Sequence, residues 1–196
     1  MGSSQGGFKM RRYLEKHFRK YKKRIEKGKY RYGITDKWLL MAIKKYGVGD
    51  TLVYGSTGPY YEQMVLMNGG FPTIVEYEKI KVKYKNIRCL TIEECNAEPG
   101  GYHSALAIST FEHTGLGRYG DPIDPDGDLK AMKAVAKKTD LLYLSVPYGE
   151  DGIDGDLHRI YGDRFEKLVE GWGILESFGM DYKTDKLLQP VWVLGK

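Results

Sequence analysis

The sequence has few cysteines, no long apolar run and no internal repeat. Its 196 residues include two cysteines, Cys89 and Cys95, whose spacing matches no zinc or redox motif, so a reducing compartment is expected. No run approaches the roughly 18 apolar residues of a membrane-spanning helix, and no charged and then apolar leader precedes a cleavage site. These absences argue against membrane-spanning, disulfide-stabilised and repeat proteins, and they favour a cytoplasmic one.

The positive charge is concentrated in one segment. Residues 9–31 hold twelve Lys or Arg against Glu15 and Glu26, a local +10 within a total of +5, so the rest of the chain carries −5. Apolar residues recur in this segment every three or four positions, which predicts a helix: Met10, Leu14, Phe18, Tyr21 and Ile25. Such a helix can bind nucleic acid or a membrane surface. Because it lacks a Trp-rich or Leu-rich insertion face, we favour a helix docked by its apolar stripe.

Short apolar runs alternate with helical patterns over residues 32–196. Strands are predicted at 51–55, 72–78, 87–91, 104–109, 141–147, 172–178 and 190–194, and helices at 35–47, 59–70, 128–138 and 163–171. This alternation predicts an α/β domain with a mostly parallel seven-stranded sheet and helices on both faces. A short polar segment joins the last two strands, which predicts an antiparallel hairpin at the sheet edge. Residues 1–31 are then a linker and basic helix, and 32–196 a single domain.

Ligands of open α/β sheets bind beyond the carboxyl ends of the strands, so the residues after each strand are the candidate site. Gly55, Ser56 and Gly58 form a tight turn after the first strand. The turn does not match G-x-G-x-x-G, which disfavours a dinucleotide. Glu76 and Tyr77 follow about 20 residues later, where a carboxylate can bond both hydroxyls of a ribose. A solvated surface glutamate is the alternative.

Two further strand ends complete the predicted cofactor site. Thr91 and Ile92 follow the third strand, where they would flank an adenine ring, and Thr110 follows the fourth strand. An adenosyl group without a diphosphate indicates S-adenosylmethionine as the cofactor.

The chain resembles class I S-adenosylmethionine-dependent methyltransferases, which have a Rossmann-like fold. The resemblance lies in the strand order, the G-x-x-G turn, the acid after the second strand and "STFEH" after the fourth. "FEHTGLGRYGDPIDPDGDLKAM", "YLSVPYGED" and "HRIYG" are similar to a family of unknown function first noted in nematodes. The chain also resembles the C-terminal methyltransferase domain of multidomain chlorovirus glycosyltransferases, which O-methylates a terminal rhamnose of a capsid glycan. This resemblance implies a sugar acceptor, linked glycosyltransferase domains in a longer chain, and the host cytoplasm.

Methyl transfer to a hydroxyl requires aligned reactants and removal of the hydroxyl proton. His113 follows the fourth strand, and the ordinary pKa of a histidine, about 6.5, suits a base at neutral pH. Its alternative role is to brace the loop together with Glu112. His158 is the second candidate base. Asp128 is a third catalytic candidate, although it is also placed to cap the helix that follows.

The segment of residues 114–127, here called the glycine-aspartate loop, is predicted to bind the acceptor. Carboxylates and aromatic rings suit the hydroxyls and C–H faces of a sugar. The candidate substrate-binding residues in and near the loop are Glu112, Arg118, Tyr119, Asp121, Tyr148 and Arg159. For Arg159 the alternative role is to position the loop. "DPDGD" only partly resembles a calcium loop, so no metal site is predicted, and Mg²⁺ remains the alternative.

These observations predict an S-adenosylmethionine-dependent O-methyltransferase acting on sugar hydroxyls. A methyltransferase of another acceptor, or a non-catalytic scaffold, is the alternative. The acidic body disfavours a nucleic-acid partner, because phosphate binding needs a basic surface. The site is expected to be acidic and aromatic, so we expect residues 1–31 to be dispensable for the chemistry.

Overall fold

A computed structural model describes residues 11–155, 158–182 and 187–196. Its elements, in chain order, are β1 (Arg12–Leu14), α1 (Glu15–Glu26), α2 (Ile34–Tyr46), β2 (Asp50–Tyr54), α3 (Tyr60–Met67), β3 (Phe71–Glu76), β4 (Lys81–Lys83), β5 (Arg88–Thr91), α4 (Ile92–Ala97), β6 (Ser104–Ile108), a 3₁₀ turn (Phe111–His113), α5 (Gly127–Val135), β7 (Leu141–Ser145), β8 (Gly152–Asp154), β9 (His158–Ile160), α6 (Arg164–Leu168), β10 (Gly173–Phe178) and β11 (Val191–Gly195).

Seven of these strands form one sheet in the order β10-β11-β7-β6-β2-β3-β5. The five strands from β7 to β5 are parallel, whereas β11 is antiparallel to both β7 and β10. The predicted sheet and its antiparallel edge pair are therefore confirmed. The chain leaves β2 towards β3 on one side and later returns to β6 on the other. This reversal of strand order opens a crevice at the carboxyl ends of β2 and β6.

Helices cover both faces of the sheet. Leu52 faces a core that includes residues of α5 and α6, while its neighbour Val53 faces a second core that includes residues of α2 and α3. Because both faces are buried, the strands read as continuous apolar runs, the pattern from which they were predicted. None of the helices in the described part of the chain has the length and apolar content to cross a membrane.

The N-terminal segment differs from the single predicted helix. Residues 12–14 form β1, which pairs in parallel with β4, and α1 begins only at Glu15. Tyr13 is buried in place of the predicted Leu14, because a strand turns alternate residues inward. Phe18 and Ile25 are buried, which confirms docking by the apolar stripe. The predicted linker and Met10 lie outside the described residues, and the division between residues 31 and 32 stays a prediction.

Candidate active site

The crevice at the carboxyl ends of β2, β3 and β6 is a cleft of about 720 Å³. This volume is typical of small-molecule sites. The glycine turn lies in one wall, and the glycine-aspartate loop lies in the other. The predicted site residues that line it are Gly55, Glu76, Tyr77, Ile92, Thr110, His113, Arg118, Tyr119 and Asp121.

One part of the cleft wall is apolar. It is lined by Val75 of β3, Ile92 of α4, Phe111 of the 3₁₀ turn, and Ala131 and Ala134 of α5. This part of the wall therefore offers apolar contacts to a ligand.

The backbone at Gly55 comes unusually close to Thr110. Gly55 has φ +74°, and a Cβ at this position would lie 2.4 Å from Thr110 Oγ1. The Thr110 hydroxyl lies 3.2 Å from the carbonyl oxygens of both Tyr54 and Ile108, its candidate acceptors. Only glycine fits here, and the contact ties the ends of β2 and β6 together at the floor of the cleft.

Ser56 and Gly58 do not line the cleft, contrary to prediction. Ser56 points beneath the turn, where its hydroxyl donates to Glu62 and contacts the Tyr13 hydroxyl at 3.1 Å. A Cβ on Gly58 would lie 2.7 Å from the Tyr21 hydroxyl of α1. These two residues pack the turn onto α1 and α3, and Gly55 alone provides the close approach.

Glu62 is fully buried beneath the glycine turn, and burial raises its pKa to about 7 from an ordinary 4.5. The raised pKa means that folding favours the protonated carboxyl. The stability this group contributes is complete below about pH 4.5 and is lost as the pH rises through about 7.

Glu62→Gln should therefore gain stability over wild type as the pH rises. The variant does not titrate, so its advantage in unfolding free energy should grow by roughly 3 kcal/mol between about pH 4.5 and pH 8. Urea unfolding across this range measures it, with the exposed Glu166→Gln as the control. If the unfolding free energies of Glu62→Gln and wild type change with pH in parallel, Glu62 does not titrate with a raised pKa in the folded protein.

Glu76 lies in the cleft wall and is paired with a residue that the sequence did not indicate. Arg11 Nη2 lies 3.0 Å from Glu76 Oε2, and Arg11 Nη1 donates to the Ser56 carbonyl at 2.7 Å. Burial raises the pKa of Glu76, and Arg11 opposes that rise. Arg11 itself lines the cleft and pairs with Glu76, which argues against the expectation that residues 1–31 are dispensable for the chemistry.

Thr91 has a structural role rather than the predicted contact with adenine. Its hydroxyl accepts from the Glu94 backbone N–H at 3.2 Å, and the Glu94 carboxylate accepts from the Thr91 N–H at 2.9 Å. This capping box begins α4, a helix absent from the prediction although T-x-x-E is its sequence signal. The helix brings Cys95 and Asn96 to the cleft beside Ile92.

His113 lies in the cleft wall between a carboxylate and a guanidinium. Its Nε2 is 3.7 Å from Glu112 Oε1, and its Nδ1 is 3.3 Å from Arg118 Nη1. Arg118 also stacks over the Tyr119 ring, 5.4 Å from the centroid. The structure thus brings these three candidate residues together in the cleft wall.

Glu112 lies beneath His113 and does not line the cleft, so its predicted substrate contact is not seen. The Ser109 hydroxyl donates to Oε1 at 2.6 Å, and burial raises the pKa of Glu112 to about 7. Its other oxygen has no hydrogen-bond partner among the described residues. The 3₁₀ turn that holds Phe111 over the core turns Glu112 inward, where it can orient His113.

Asp121 and Arg159 hold the glycine-aspartate loop in shape. The Asp121 carboxylate accepts from the backbone N–H groups of Gly115 and Tyr119 at 2.6 and 3.2 Å. Arg159 is 3% exposed and donates to the carbonyls of Thr114, Asp124 and Pro125. Arg159 therefore positions the loop, one of its two predicted roles, because its guanidinium donates to loop carbonyls. Asp121 borders the cleft, but its carboxylate is likewise engaged by the backbone.

Asp128 is neither a helix cap nor part of the cleft. The cap position of α5 is Asp126, whereas Asp128 is fully buried. Its carboxylate accepts from Arg164 Nε and Nη2 at 3.0 and 2.7 Å and from the Tyr161 hydroxyl at 3.0 Å. This bidentate ion pair joins α5 to α6 and leaves the Asp128 carboxylate outside the cleft, away from its predicted catalytic position.

His158 and Tyr148 also lie away from the cleft wall. The His158 ring centroid is 6.1 Å from that of His113, and its Nε2 is buried without a partner among the described residues. Tyr148 packs edge-on against Phe165 and Trp192. The predicted substrate contact of Tyr148 is replaced by core packing. In the part of the chain that is described, no group of three or more His, Cys, Asp or Glu is arranged to hold a metal ion.

Solved structures with this architecture are methyltransferases. WbdD, a bifunctional kinase-methyltransferase, aligns with TM-score 0.52 and 14% identity over 83% of this chain, which spans 38% of the WbdD chain. A 1,6-didemethyltoxoflavin-N1-methyltransferase from Burkholderia thailandensis, solved with S-adenosylhomocysteine, aligns with TM-score 0.57 and 12% identity over 82% of this chain and 76% of its own. An S-adenosylmethionine-dependent methyltransferase from Clostridium acetobutylicum aligns with TM-score 0.54 and 10% identity over 92% and 98%.

The fold is thus the Rossmann-like fold of class I methyltransferases, as predicted. A family pattern matches residues 49–190, and the chain belongs to that family, described as Caenorhabditis protein of unknown function, DUF268. This match confirms the resemblance to a family first noted in nematodes. A comparison with curated protein sequences found no match.

Proposed function

We propose that the protein is an S-adenosylmethionine-dependent methyltransferase that methylates hydroxyl groups of a sugar, with a glycan rhamnose as the leading acceptor. The observation that supports it most is the position of Glu76 in the cleft wall. It follows β3 directly, as Gly55 follows β2, where a carboxylate can bond both hydroxyls of a ribose.

The cleft fits an adenosyl cofactor in shape and chemistry. The apolar wall between α4 and α5 would hold the adenine, Glu76 the ribose, and the close-packed Gly55 turn the amino-acid part. When bound, the cofactor supplies an electrophilic methyl group on a sulfonium. The chain must then orient the acceptor hydroxyl and remove its proton.

His113 is the proposed general base. Glu112 on the Nε2 side favours the tautomer with hydrogen on Nε2, which leaves the Nδ1 lone pair for the acceptor proton. Arg118 now faces Nδ1, so an acceptor hydroxyl must displace its guanidinium to reach the base. As the acceptor oxygen attacked the methyl group that a bound cofactor would supply, His113 would accept the hydroxyl proton at Nδ1.

The acceptor would lie along the glycine-aspartate loop. Tyr119 is half exposed at the cleft and offers a ring face to the C–H face of a sugar. The test is to incubate the protein with S-adenosylmethionine and a synthetic rhamnoside and to measure the mass of the rhamnoside. Its mass should rise by one CH₂ for each methyl group transferred, because each methyl replaces a hydrogen. The same assay with a phenol tests for another small-molecule acceptor. Linked glycosyltransferase domains and a cytoplasmic location remain predictions.

Glu76→Ala should weaken binding of S-adenosylhomocysteine roughly ten- to hundredfold, because charge-assisted hydrogen bonds to ribose are lost. Titration calorimetry measures the affinity, and the surface variant Glu170→Ala is the control. If the wild-type protein shows no binding at millimolar ligand, the methyltransferase proposal fails and a non-catalytic scaffold takes its place.

Arg11→Gln should change the pH dependence of cofactor binding. A neighbouring arginine lowers the pKa of a carboxyl by about 1–3 units, so Glu76 should become protonated at a higher pH in the variant. The loss of cofactor affinity on acidification should then occur at a pH about one unit or more higher than in the wild-type protein. The adjacent exposed Arg12→Gln is the matched control. An unchanged pH profile in Arg11→Gln would show that this ion pair does not govern binding.

A further inference from the structure

The outward side of α1 carries a row of lysines. Lys16, Lys20, Lys23 and Lys27 are exposed and follow one another at spacings of four, three and four residues. This spacing places them along one stripe of the helix, opposite the buried Phe18 and Ile25.

A second basic segment, far away in sequence, lies beside this helix. Lys81, Lys83 and Lys85 are exposed, and the pairing of β1 with β4 sets Arg12 next to Lys81. Phe18 stacks on Tyr84 at a centroid distance of 4.5 Å, so this segment packs against the apolar side of α1, and its lysines form a second group of exposed cations next to the helix. We call these eight cations the basic surface: Arg12, Lys16, Lys20, Lys23, Lys27, Lys81, Lys83 and Lys85.

The charges of the basic surface are not compensated within the described chain. The glutamates of α1 pair with Arg19 and Lys22 on its flanks, at 2.7 and 3.9 Å. Among the residues that the structure describes, no carboxylate lies within 4.0 Å of any cation of the basic surface. Like charges at these helical spacings are destabilising. An anionic partner would relieve this repulsion.

The composition of the surface indicates the kind of anion. Seven of its eight cations are lysines, which act as hydrated point charges rather than as bidentate readers of phosphate geometry. The aromatic side chains of residues 12–29 and 79–88 are buried or half-buried, and Lys20 and Lys85 lie over the rings of Tyr21 and Tyr84, so bases would find little surface on which to stack. An exposed helix ridge with diffuse charge suits an extended anionic surface. We propose that the basic surface binds the anionic headgroups of a lipid bilayer, as a peripheral contact independent of the cleft.

Vesicle sedimentation tests this proposal. The wild-type protein should sediment with vesicles of equal parts phosphatidylglycerol and phosphatidylcholine, not with phosphatidylcholine alone, and salt should release it. Each lysine near an anionic surface contributes about fivefold to partitioning. Replacing Lys16, Lys20, Lys23 and Lys27 with Gln should therefore weaken partitioning by a hundredfold or more. Replacing Lys81, Lys83 and Lys85 with Gln should weaken it as a second, independent variant.

The matched control replaces four exposed lysines elsewhere, Lys37, Lys44, Lys133 and Lys137, with Gln, which changes the net charge equally. It should keep nearly wild-type partitioning, and circular dichroism should show every variant folded. An equal loss in the control would show that net charge alone acts and would overturn the proposal. The proposal would also be overturned if the wild-type protein did not bind anionic vesicles. It would be overturned as well if the protein bound an oligonucleotide more tightly than vesicles and the same lysines were required.

Discussion

His113→Ala is expected to lower kcat by about 10²–10⁴, the usual contribution of a positioned general base. Affinity for S-adenosylhomocysteine should barely change, because the imidazole is proposed to act on the acceptor side of the cleft. His103→Ala is the control, since His103 is exposed at the amino end of β6, the opposite edge of the sheet.

Three outcomes would reassign the chemistry. If His113→Ala keeps more than about a third of the wild-type kcat, His113 is not the base. If His158→Ala alone abolishes turnover, the base is the second histidine, whose ring lies 6.1 Å away. Loss of turnover on chelation that added Mg²⁺ restores would instead assign a metal role to the loop aspartates.

Asp128→Ala is expected to lower the free energy of unfolding by about 3–5 kcal/mol, the usual cost of removing one partner of a buried ion pair. The variant leaves the Arg164 guanidinium and the Tyr161 hydroxyl without their shared acceptor. Denaturant unfolding measures the loss. Asp126→Ala is the matched control: its carboxylate is exposed and lies 3.3 Å from the same arginine, so less than about 1 kcal/mol should be lost.

A change below about 1 kcal/mol in Asp128→Ala would show that the ion pair does not stabilise the fold. The Asp128→Asn variant then separates structure from chemistry. It should keep turnover wherever it remains folded, because the carboxylate lies outside the cleft. Lost turnover in a folded Asp128→Asn protein would return Asp128 to the catalytic group.

Most strands of the sheet could be predicted because they are buried over nearly their whole length and read as apolar runs: β2, β3, β6, β7 and β11. The edge strands β5 and β10 are more exposed, but they also contain short apolar stretches. The cleft edge follows from strand order, which is why Gly55, Glu76 and His113 were found. β1 was missed because it has only three residues, which show no strand pattern within a strongly basic segment, and the helical spacing around it dominated the pattern.

The positions of the site residues were easier to predict from the sequence than the partners of their side chains. Arg11 and Glu76 are far apart in sequence, and only the pairing of β1 with β4 brings them together. Arg159 and Asp121 are the residue types expected for binding a sugar. A loop with few apolar residues must satisfy its own backbone groups, and these two residues do so. A polar residue after a strand therefore predicted the site region, but not which residues face the ligand.

The position of β11 has a consequence for how the chain is made. β11 comes after β10 in sequence but lies between β7 and β10 in the sheet, and it carries Trp192 into the core shared with α6. During synthesis, residues 173–178 leave the ribosome before the strand that must separate them from β7. Until residues 191–195 follow, the nascent domain exposes the unpaired edge of β7. A stall between these two strands would yield an aggregation-prone intermediate, which a ribosome-bound series of increasing chain length could capture.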